Sequence, residues 1–155
     1  MMGQIVRRER YSYRHDPSVP AFDDRGPITF MDGDCALCSM GARLIARLDQ
    51  RGEFRICPMQ SPLGKAVLTH YGLDPTNPDS WLYLADGYAW TSMEAVIRVG
   101  RRLGGLGRIV EVVSVIPRPL QGFIYRRIAR HRYQILGRTR MCATPDSRLR
   151  RRLIE

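Results

Sequence analysis

Two cysteines separated by two residues follow directly on a short apolar segment, and this junction constrains the fold more than any other feature of the chain. The segment 28–31, Ile-Thr-Phe-Met, is typical of a buried strand, and the Asp-Gly pair after it ends the strand in a turn. From Cys35 onward, apolar residues recur at every third or fourth position, as on one face of a helix. Cys35 and Cys38 are therefore predicted to lie in the first turn of that helix, close enough to form a disulfide.

A thiol in the first turn of a helix lies near unpaired backbone N–H groups and the positive end of the helix dipole, and both favour the thiolate. The first cysteine of such a pair is normally the exposed one. Cys35 is therefore predicted to attack a substrate disulfide, and Cys38 to resolve the mixed disulfide that results. Asp34 would oppose thiolate formation if its carboxylate pointed at the sulfur of Cys35. Asp32 is a third candidate catalytic residue, for moving protons to or from Cys38.

The remaining patterns predict a β-α-β-α-β-β-α order with additional C-terminal helices. They are, in order, a strand over 54–57, a helix that Ser61 and Pro62 begin, a hairpin around Asp86-Gly87, a helix after Thr91, an apolar segment to Ile116 and a helix over about 120–136. A β-α-β unit followed by an antiparallel hairpin and a helix is the thioredoxin-like arrangement. We therefore expect an α/β fold with a mixed sheet and helices on both of its faces.

The chain divides by composition into three parts. Residues 1–26 mix charges, tyrosines and prolines without periodicity, which predicts a mobile N-terminal arm. Residues 27–137 make up the predicted thioredoxin-like domain with its helical extension, and residues 138–155 form a basic tail. The histidines are most simply interpreted as surface residues: His15, His70 and His131.

The cysteine motif and the C-terminal pattern together resemble the DCC family of predicted thiol-disulfide oxidoreductases. Asp32, Cys35 and Cys38 fill the family's D-x-x-C-x-x-C motif, and the C-terminal signature is similar in its tyrosine, isoleucine-alanine, arginine-tyrosine, glycine-arginine and cysteine: Tyr125, Ile128-Ala129, Arg132-Tyr133, Gly137-Arg138 and Cys142. The likeness extends over about Ile28 to Leu153. Arg126 and His131 depart from it, since an acid and an asparagine are expected there. The resemblance implies a thioredoxin-like fold and disulfide exchange through Cys35 and Cys38.

Charge and length limit the other function classes. The chain has 25 basic and 15 acidic residues, a formal net charge of +10, and only four cysteines in 155 residues, so it is not a disulfide scaffold. No stretch approaches the roughly 18 apolar residues of a membrane span. With no secretory signal or transit peptide, we expect a cytoplasmic protein.

The charge also bears on partners. The excess of arginine in the last third suits an acidic partner or an anionic surface: Arg126, Arg127, Arg130, Arg132, Arg138, Arg140, Arg148 and Arg150–Arg152. No recognised nucleic-acid motif accompanies these arginines, so nucleic-acid binding is not expected. The substrate expected for the cysteine pair is a disulfide-containing protein or a small thiol.

Two alternative interpretations of the cysteines stay open. Cys57 and Cys142 could complete a four-cysteine zinc site with the pair, although structural zinc sites usually combine two close C-x-x-C elements. Alternatively, the protein is a non-catalytic binding module whose cysteines are structural and whose basic surface docks an acidic partner. If the pair is redox-active, Cys57 is interpreted as a small buried residue, Cys142 as a possible exchange partner, and no cofactor is needed because the dithiol carries the electrons.

Overall fold

A four-stranded mixed sheet lies at the centre of the protein. The computed structural model describes residues 8–76, 81–140 and 146–154. The strands are β1 (Ile28–Met31), β2 (Arg55–Pro58), β3 (Leu82–Ala85) and β4 (Tyr88–Thr91). Their order across the sheet is β2-β1-β3-β4, with β1 parallel to β2 and antiparallel to β3, and β3 antiparallel to β4. All four residues of β1 are buried, as the short apolar run predicted.

Helices connect and cover these strands. The α-helices are α1 (Ala36–Leu48), α2 (Pro62–His70), α3 (Ser92–Leu103), α4 (Arg118–Leu136) and α5 (Ser147–Arg150), and 3₁₀ helices run over Ser12–His15 and Gly105–Val115. The predicted β-α-β-α-β-β-α order and the thioredoxin-like mixed α/β fold are confirmed. None of the helices within the described ranges combines the length and the apolar character that crossing a membrane requires.

Local sequence signals account for two of the boundaries. Ser61 caps α2 by accepting a hydrogen bond from the Gly64 N–H, and Pro62 takes the first helical position, where its missing N–H costs nothing. Asp86 and Gly87 join β3 to β4 with φ angles of 52° and 80°. Two consecutive left-handed residues make the tight turn that matches the twist of a hairpin, and aspartate followed by glycine adopts it readily.

Two hydrophobic clusters pack around the sheet. One, around Phe30 and Cys57, includes residues of α2 and of the N-terminal segment. The other, around Phe54 and Tyr83, includes residues of α1 and α3, and Cys38 packs against its edge. The cysteine pair therefore lies at the end of β1 beside the α1–α3 cluster.

The N-terminal segment differs from the predicted mobile arm. Tyr13 is 2% exposed, belongs to the core and stacks on Phe22 with ring centroids 5.4 Å apart. Its hydroxyl donates a 2.7 Å hydrogen bond to Asp24. His70, predicted at the surface, is buried with its Nδ1 2.6 Å from the Asp16 carboxylate. Residues 8–26 pack on the domain because their aromatic rings cover an apolar face that the short sheet leaves open.

The described part of the basic tail also packs on the domain. Leu149 of α5 is fully buried, and the segment after it extends the sheet beside β2. The Ile56 N–H donates to the Arg152 carbonyl at 2.8 Å, and the Ile154 N–H donates to the Ile56 carbonyl at 2.9 Å. The Arg152 guanidinium lies 3.2 Å from the Asp49 carboxylate, and both side chains are largely buried. These contacts protect a sheet edge that would otherwise expose unpaired backbone groups.

Candidate active site

Cys35 is the N-cap residue of α1, directly after the turn that ends β1. Its backbone is extended, and its Sγ accepts a 3.3 Å hydrogen bond from the backbone N–H of Cys38. The sulfur thus replaces the oxygen that serine or aspartate supplies at most N-caps. Both thiols are reduced in this structure. The predicted placement of the pair in the first turn of a helix agrees with this geometry.

The two thiols differ in acidity. Hydrogen bonds from the Cys38 thiol and the Cys38 N–H, with the charge of Arg132, lower the pKa of Cys35 to about 6 despite its burial. The pKa of Cys38 is raised, because its thiol is the hydrogen-bond partner of Cys35 and is itself desolvated. At neutral pH this arrangement favours a Cys35 thiolate beside a protonated Cys38, which is the charge distribution that a nucleophile and a resolving thiol need.

The accessibility of the thiols is the reverse of the sequence-based expectation. Cys35 is 0% exposed, whereas Cys38 is partly exposed. The residues that follow α4 cover Cys35: Arg138 forms an isolated antiparallel bridge with it. Two backbone hydrogen bonds form the bridge, from the Ala36 N–H to the Gly137 carbonyl at 3.3 Å and from the Thr139 N–H to the Asp34 carbonyl at 3.0 Å. We call Gly137–Thr139 the covering segment.

Asp32 is 3% exposed and accepts hydrogen bonds on both carboxylate oxygens. Oδ1 accepts from the Asp34 N–H at 2.9 Å and from the Gln60 amide at 2.6 Å. Oδ2 accepts from Arg132 at 2.5 Å and from the Tyr133 hydroxyl. Burial alone would raise the pKa of Asp32, but these hydrogen bonds and the charge of Arg132 hold it below its ordinary value.

The lowered pKa favours the carboxylate anion at neutral pH, and the expected proton transfer between Asp32 and Cys38 stays a prediction. Asp34, the other acid of the motif, is exposed and donates its backbone N–H to Asp32. The Asp32 side chain joins three parts of the chain: the cysteine turn, the end of β2 and α4. Its charge acts on the cysteines from there, since it opposes ionisation of both thiols.

Sequence reasoning did not assign roles to Arg132, Tyr133 or Gln60. Arg132 and Tyr133 lie on α4, about 100 positions from Asp32, and the sequence analysis named them in the C-terminal signature and, for Arg132, in the basic region. Gln60 follows β2, and its Oε1 accepts a 2.9 Å hydrogen bond from the Gly33 N–H. No sequence pattern marks it. Arg132 is buried in its ion pair and is therefore unavailable to the acidic partner considered for the basic region.

An apolar groove of about 430 Å³ opens beside Cys38. Side chains of α1, α3, the 3₁₀ helix at 105–115 and α4 line it, and Cys38, Asp32 and Arg132 contribute to its wall. The apolar lining includes Leu37, Leu44, Val99, Leu106 and Ile128. A substrate lying in this groove would meet Cys38 before Cys35.

The other two cysteines do not join the pair within the described residues. Cys57 packs in the hydrophobic cluster that includes residues of α2 (the α2-side cluster), where its sulfur lies 3.2 Å from the Ser61 hydroxyl. Cys142 lies outside the described residues, as does Pro78, the proline nearest before the β3 strand. Among residues 8–76, 81–140 and 146–154, no three histidine, cysteine or acidic side chains are grouped so as to hold a metal ion. Cys57, which a zinc site would need as its third ligand, therefore does not lie on the face that carries the pair.

Comparison with known protein families identifies the family of the chain. The chain matches the DCC1-like thiol-disulfide oxidoreductases over residues 29–138, from β1 to the covering segment. The protein belongs to this family. The match includes the cysteine turn and also Arg132 and Tyr133, so the family region contains both partners that α4 provides to Asp32.

Two curated relatives extend over most of the chain. One, from Bacillus subtilis (strain 168), is the uncharacterized protein YuxK, 29% identical over 127 residues, which are 82% of this chain and 93% of the relative. The other is a chloroplastic DCC family protein of Arabidopsis thaliana, 25% identical over 140 residues, which are 90% of this chain and 81% of the relative. No solved structure gives a significant match to this chain. Family membership supports a redox role for the protein.

Proposed function

We propose that the protein is an enzyme that exchanges thiols and disulfides through Cys35 and Cys38. The observation that carries the proposal is the hydrogen bond from the Cys38 N–H to the Cys35 sulfur at the start of α1. This contact, together with the lowered pKa of Cys35, prepares one thiolate and one thiol three residues apart on a rigid first turn. The dithiol is itself the electron carrier, so the exchange requires no further cofactor.

The cysteine pair reduces a substrate disulfide in two steps. The Cys35 thiolate attacks one sulfur of a substrate disulfide, forms a mixed disulfide and releases the other sulfur as a thiolate, which takes a proton from solvent. Cys38 then loses its proton and attacks the Cys35 sulfur, which releases the second substrate thiol. The substrate disulfide is reduced to two thiols, and Cys35 and Cys38 are oxidised to a disulfide. The reverse sequence oxidises a dithiol.

Access to Cys35 requires the covering segment to move. The contacts between this segment and the cysteine turn include the two backbone hydrogen bonds of the Cys35–Arg138 bridge, one of them 3.3 Å long. Gly137, at its start, has a φ of 77° and ends α4, so the turn there depends on glycine. We propose that a disulfide substrate, a protein or a small thiol compound, reaches Cys35 when this segment opens.

Turnover of a fluorescent peptide disulfide tests the proposal. Cys35→Ser should abolish turnover, because no nucleophile remains, and Cys38→Ser should accumulate a mixed disulfide between Cys35 and the peptide. Cys57→Ala is the matched control, since Cys57 packs on the α2 side of the sheet, and it should keep the wild-type rate. Turnover by Cys35→Ser at the wild-type rate would disprove the assignment of the nucleophile.

The burial of Cys35 favours one second candidate, a non-catalytic binding protein that docks an acidic partner through its arginines. Under that hypothesis both cysteine variants keep full function, and binding depends on exposed arginines such as Arg138 and Arg140. Truncation after Leu136 would not be a clean test, because it removes the buried Leu149. Arg138→Gln with Arg140→Gln is the better variant: a loss of function there, with full function in Cys35→Ser, would favour the binding protein.

A further inference from the structure

The 3₁₀ helix at 105–115 exposes a row of aliphatic side chains that extends away from the groove beside Cys38, with Leu106 at the groove wall. The row is Leu106, Ile109, Val112 and Val115, with exposures of 70%, 64%, 69% and 84%. A 3₁₀ helix has three residues per turn, so residues three apart lie above one another on a single face. With a rise of about 2 Å per residue, the row is roughly 18 Å long. We call it the aliphatic stripe.

The face opposite the stripe is fixed to the domain. Gly107 is buried against Gly100 of α3, and a β-carbon at Gly100 would come within 2.5 Å of the Gly107 carbonyl oxygen. Val110, on the same side, contacts Gly100 and lines the groove beside Cys38. The close glycine contact holds the helix on α3, so the stripe is a supported feature of the surface.

The third face of the helix and its surroundings are strongly basic. Arg108 and Arg101, with side-chain exposures of 66% and 52%, lie 3.3 Å and 3.7 Å from Glu111. Arg118, exposed at the start of α4, follows the stripe by three residues. Beside the stripe, Arg101, Arg108 and Arg118 thus accompany one acid, Glu111. A rigid apolar stripe flanked by cations is therefore complementary to an apolar layer covered by negative charge.

We propose that the aliphatic stripe and its flanking arginines bind the surface of an anionic lipid bilayer. The four side chains would insert at the boundary of headgroups and acyl chains, while the guanidinium groups contact lipid phosphates. Charge complementarity decides between the occupants: docking of a second copy would bring Arg101, Arg108 and Arg118 of both chains together, and like charges in apposition disfavour association. The inference does not depend on the cysteine chemistry, because Ile109, Val112 and Val115 lie outside the lining of the groove beside Cys38.

Sedimentation with lipid vesicles tests the proposal. The wild-type protein should sediment at about 0.1 M salt with vesicles of phosphatidylcholine and phosphatidylglycerol, and not with vesicles of phosphatidylcholine alone, because the arginines need anionic lipid. Val112→Asp should lower the partition coefficient roughly tenfold or more, since it places a charge in the inserted stripe. Val112→Leu keeps the stripe apolar and should bind as tightly as the wild type.

Paired charge variants separate local from overall electrostatics. Arg118→Gln should weaken binding roughly fivefold, whereas Arg25→Gln removes the same charge from an arginine that lies outside the stripe and its flanks and should have little effect. Val112 is exposed, so circular dichroism should show both Val112 variants folded. Equal sedimentation of Val112→Asp and wild type, or no sedimentation of wild type with anionic vesicles, would overturn the proposal. A wild-type dimer that Val112→Asp converts to a monomer would also overturn it, in favour of self-association.

Discussion

The Arg132 guanidinium donates a 2.5 Å hydrogen bond to the Asp32 carboxylate across 100 positions of sequence, and both side chains are almost fully buried. This ion pair fixes α4 to the turn that carries the cysteines. It also sets opposite charges beside them, since Arg132 favours and Asp32 opposes the Cys35 thiolate. The acidity of the nucleophile therefore depends on the docking of a helix that lies far from it in sequence.

The first prediction concerns the ionisation of Cys35. Because its pKa is lowered to about 6, the rate of its alkylation by iodoacetamide should rise with pH around a midpoint near 6, and the reactive form should disappear as the pH falls through that value. Cys38, with a raised pKa, should stay protonated at neutral pH. Alkylation rates followed by peptide mass spectrometry between pH 4 and 10 check this; a midpoint near the ordinary thiol value would contradict it.

Asp32→Asn should destabilise the protein and make Cys35 more acidic. The substitution leaves the buried Arg132 without its counter-ion, which costs about 3 kcal/mol of unfolding free energy. It also removes the negative charge that raises the pKa of Cys35, so that pKa should fall. Urea denaturation and the alkylation profile measure the two effects. Asp34→Asn, at an exposed carboxylate, is the control and should change the unfolding free energy by less than about 0.5 kcal/mol. A higher pKa of Cys35 in Asp32→Asn would count against this account.

Thr139→Pro should open the covering segment. Proline removes the N–H that donates to the Asp34 carbonyl, and the loss of a hydrogen bond worth about 1 kcal/mol should raise the alkylation rate of Cys35 about fivefold. Thr139→Ala keeps the N–H and is the matched control, with a rate near that of the wild type. If both variants react equally fast, the backbone contact does not limit access to Cys35.

Tyr13→Ala should cost about 3 kcal/mol of unfolding free energy, because it leaves a cavity in the cluster that includes α2 and removes the hydrogen bond to Asp24. Tyr88→Ala is the control: Tyr88 is 45% exposed, and its loss should cost far less. Urea denaturation of both variants provides the comparison. A negligible effect of Tyr13→Ala would restore the prediction that residues 1–26 form a mobile arm.

Local sequence patterns predicted those turns, caps and elements that a few neighbouring residues determine. The cysteine turn, the α2 cap at Ser61-Pro62 and the Asp86-Gly87 hairpin each follow from a few neighbouring residues, and the order of elements follows from them. Resemblance in the C-terminal signature added the family. These signals were enough to predict the thioredoxin-like sheet and the location of the dithiol.

Long-range contacts account for what the sequence did not predict. The partners of Asp32 come from α4 and from the end of β2, and no periodicity pairs an aspartate with an arginine 100 residues away. Cys35 was expected to be exposed because the first cysteine of such a pair normally is, and no local pattern indicates that residues 137–139 pair with the cysteine turn. The N-terminal segment, which carries Tyr13, packs on α2, which carries His70, and this contact buries both residues. Composition alone does not reveal it.

A redox titration of the intact protein in glutathione buffers shows whether Cys35 and Cys38 form a reversible disulfide. Each cysteine's state is measured by alkylation and mass spectrometry across the range of potentials. We expect one reversible two-electron transition in which Cys35 and Cys38 form a disulfide with each other, while Cys57 stays reduced, and the transition is absent in Cys38→Ser. Thiols at positions 35 and 38 that stay reduced over the whole range would contradict the proposed enzyme.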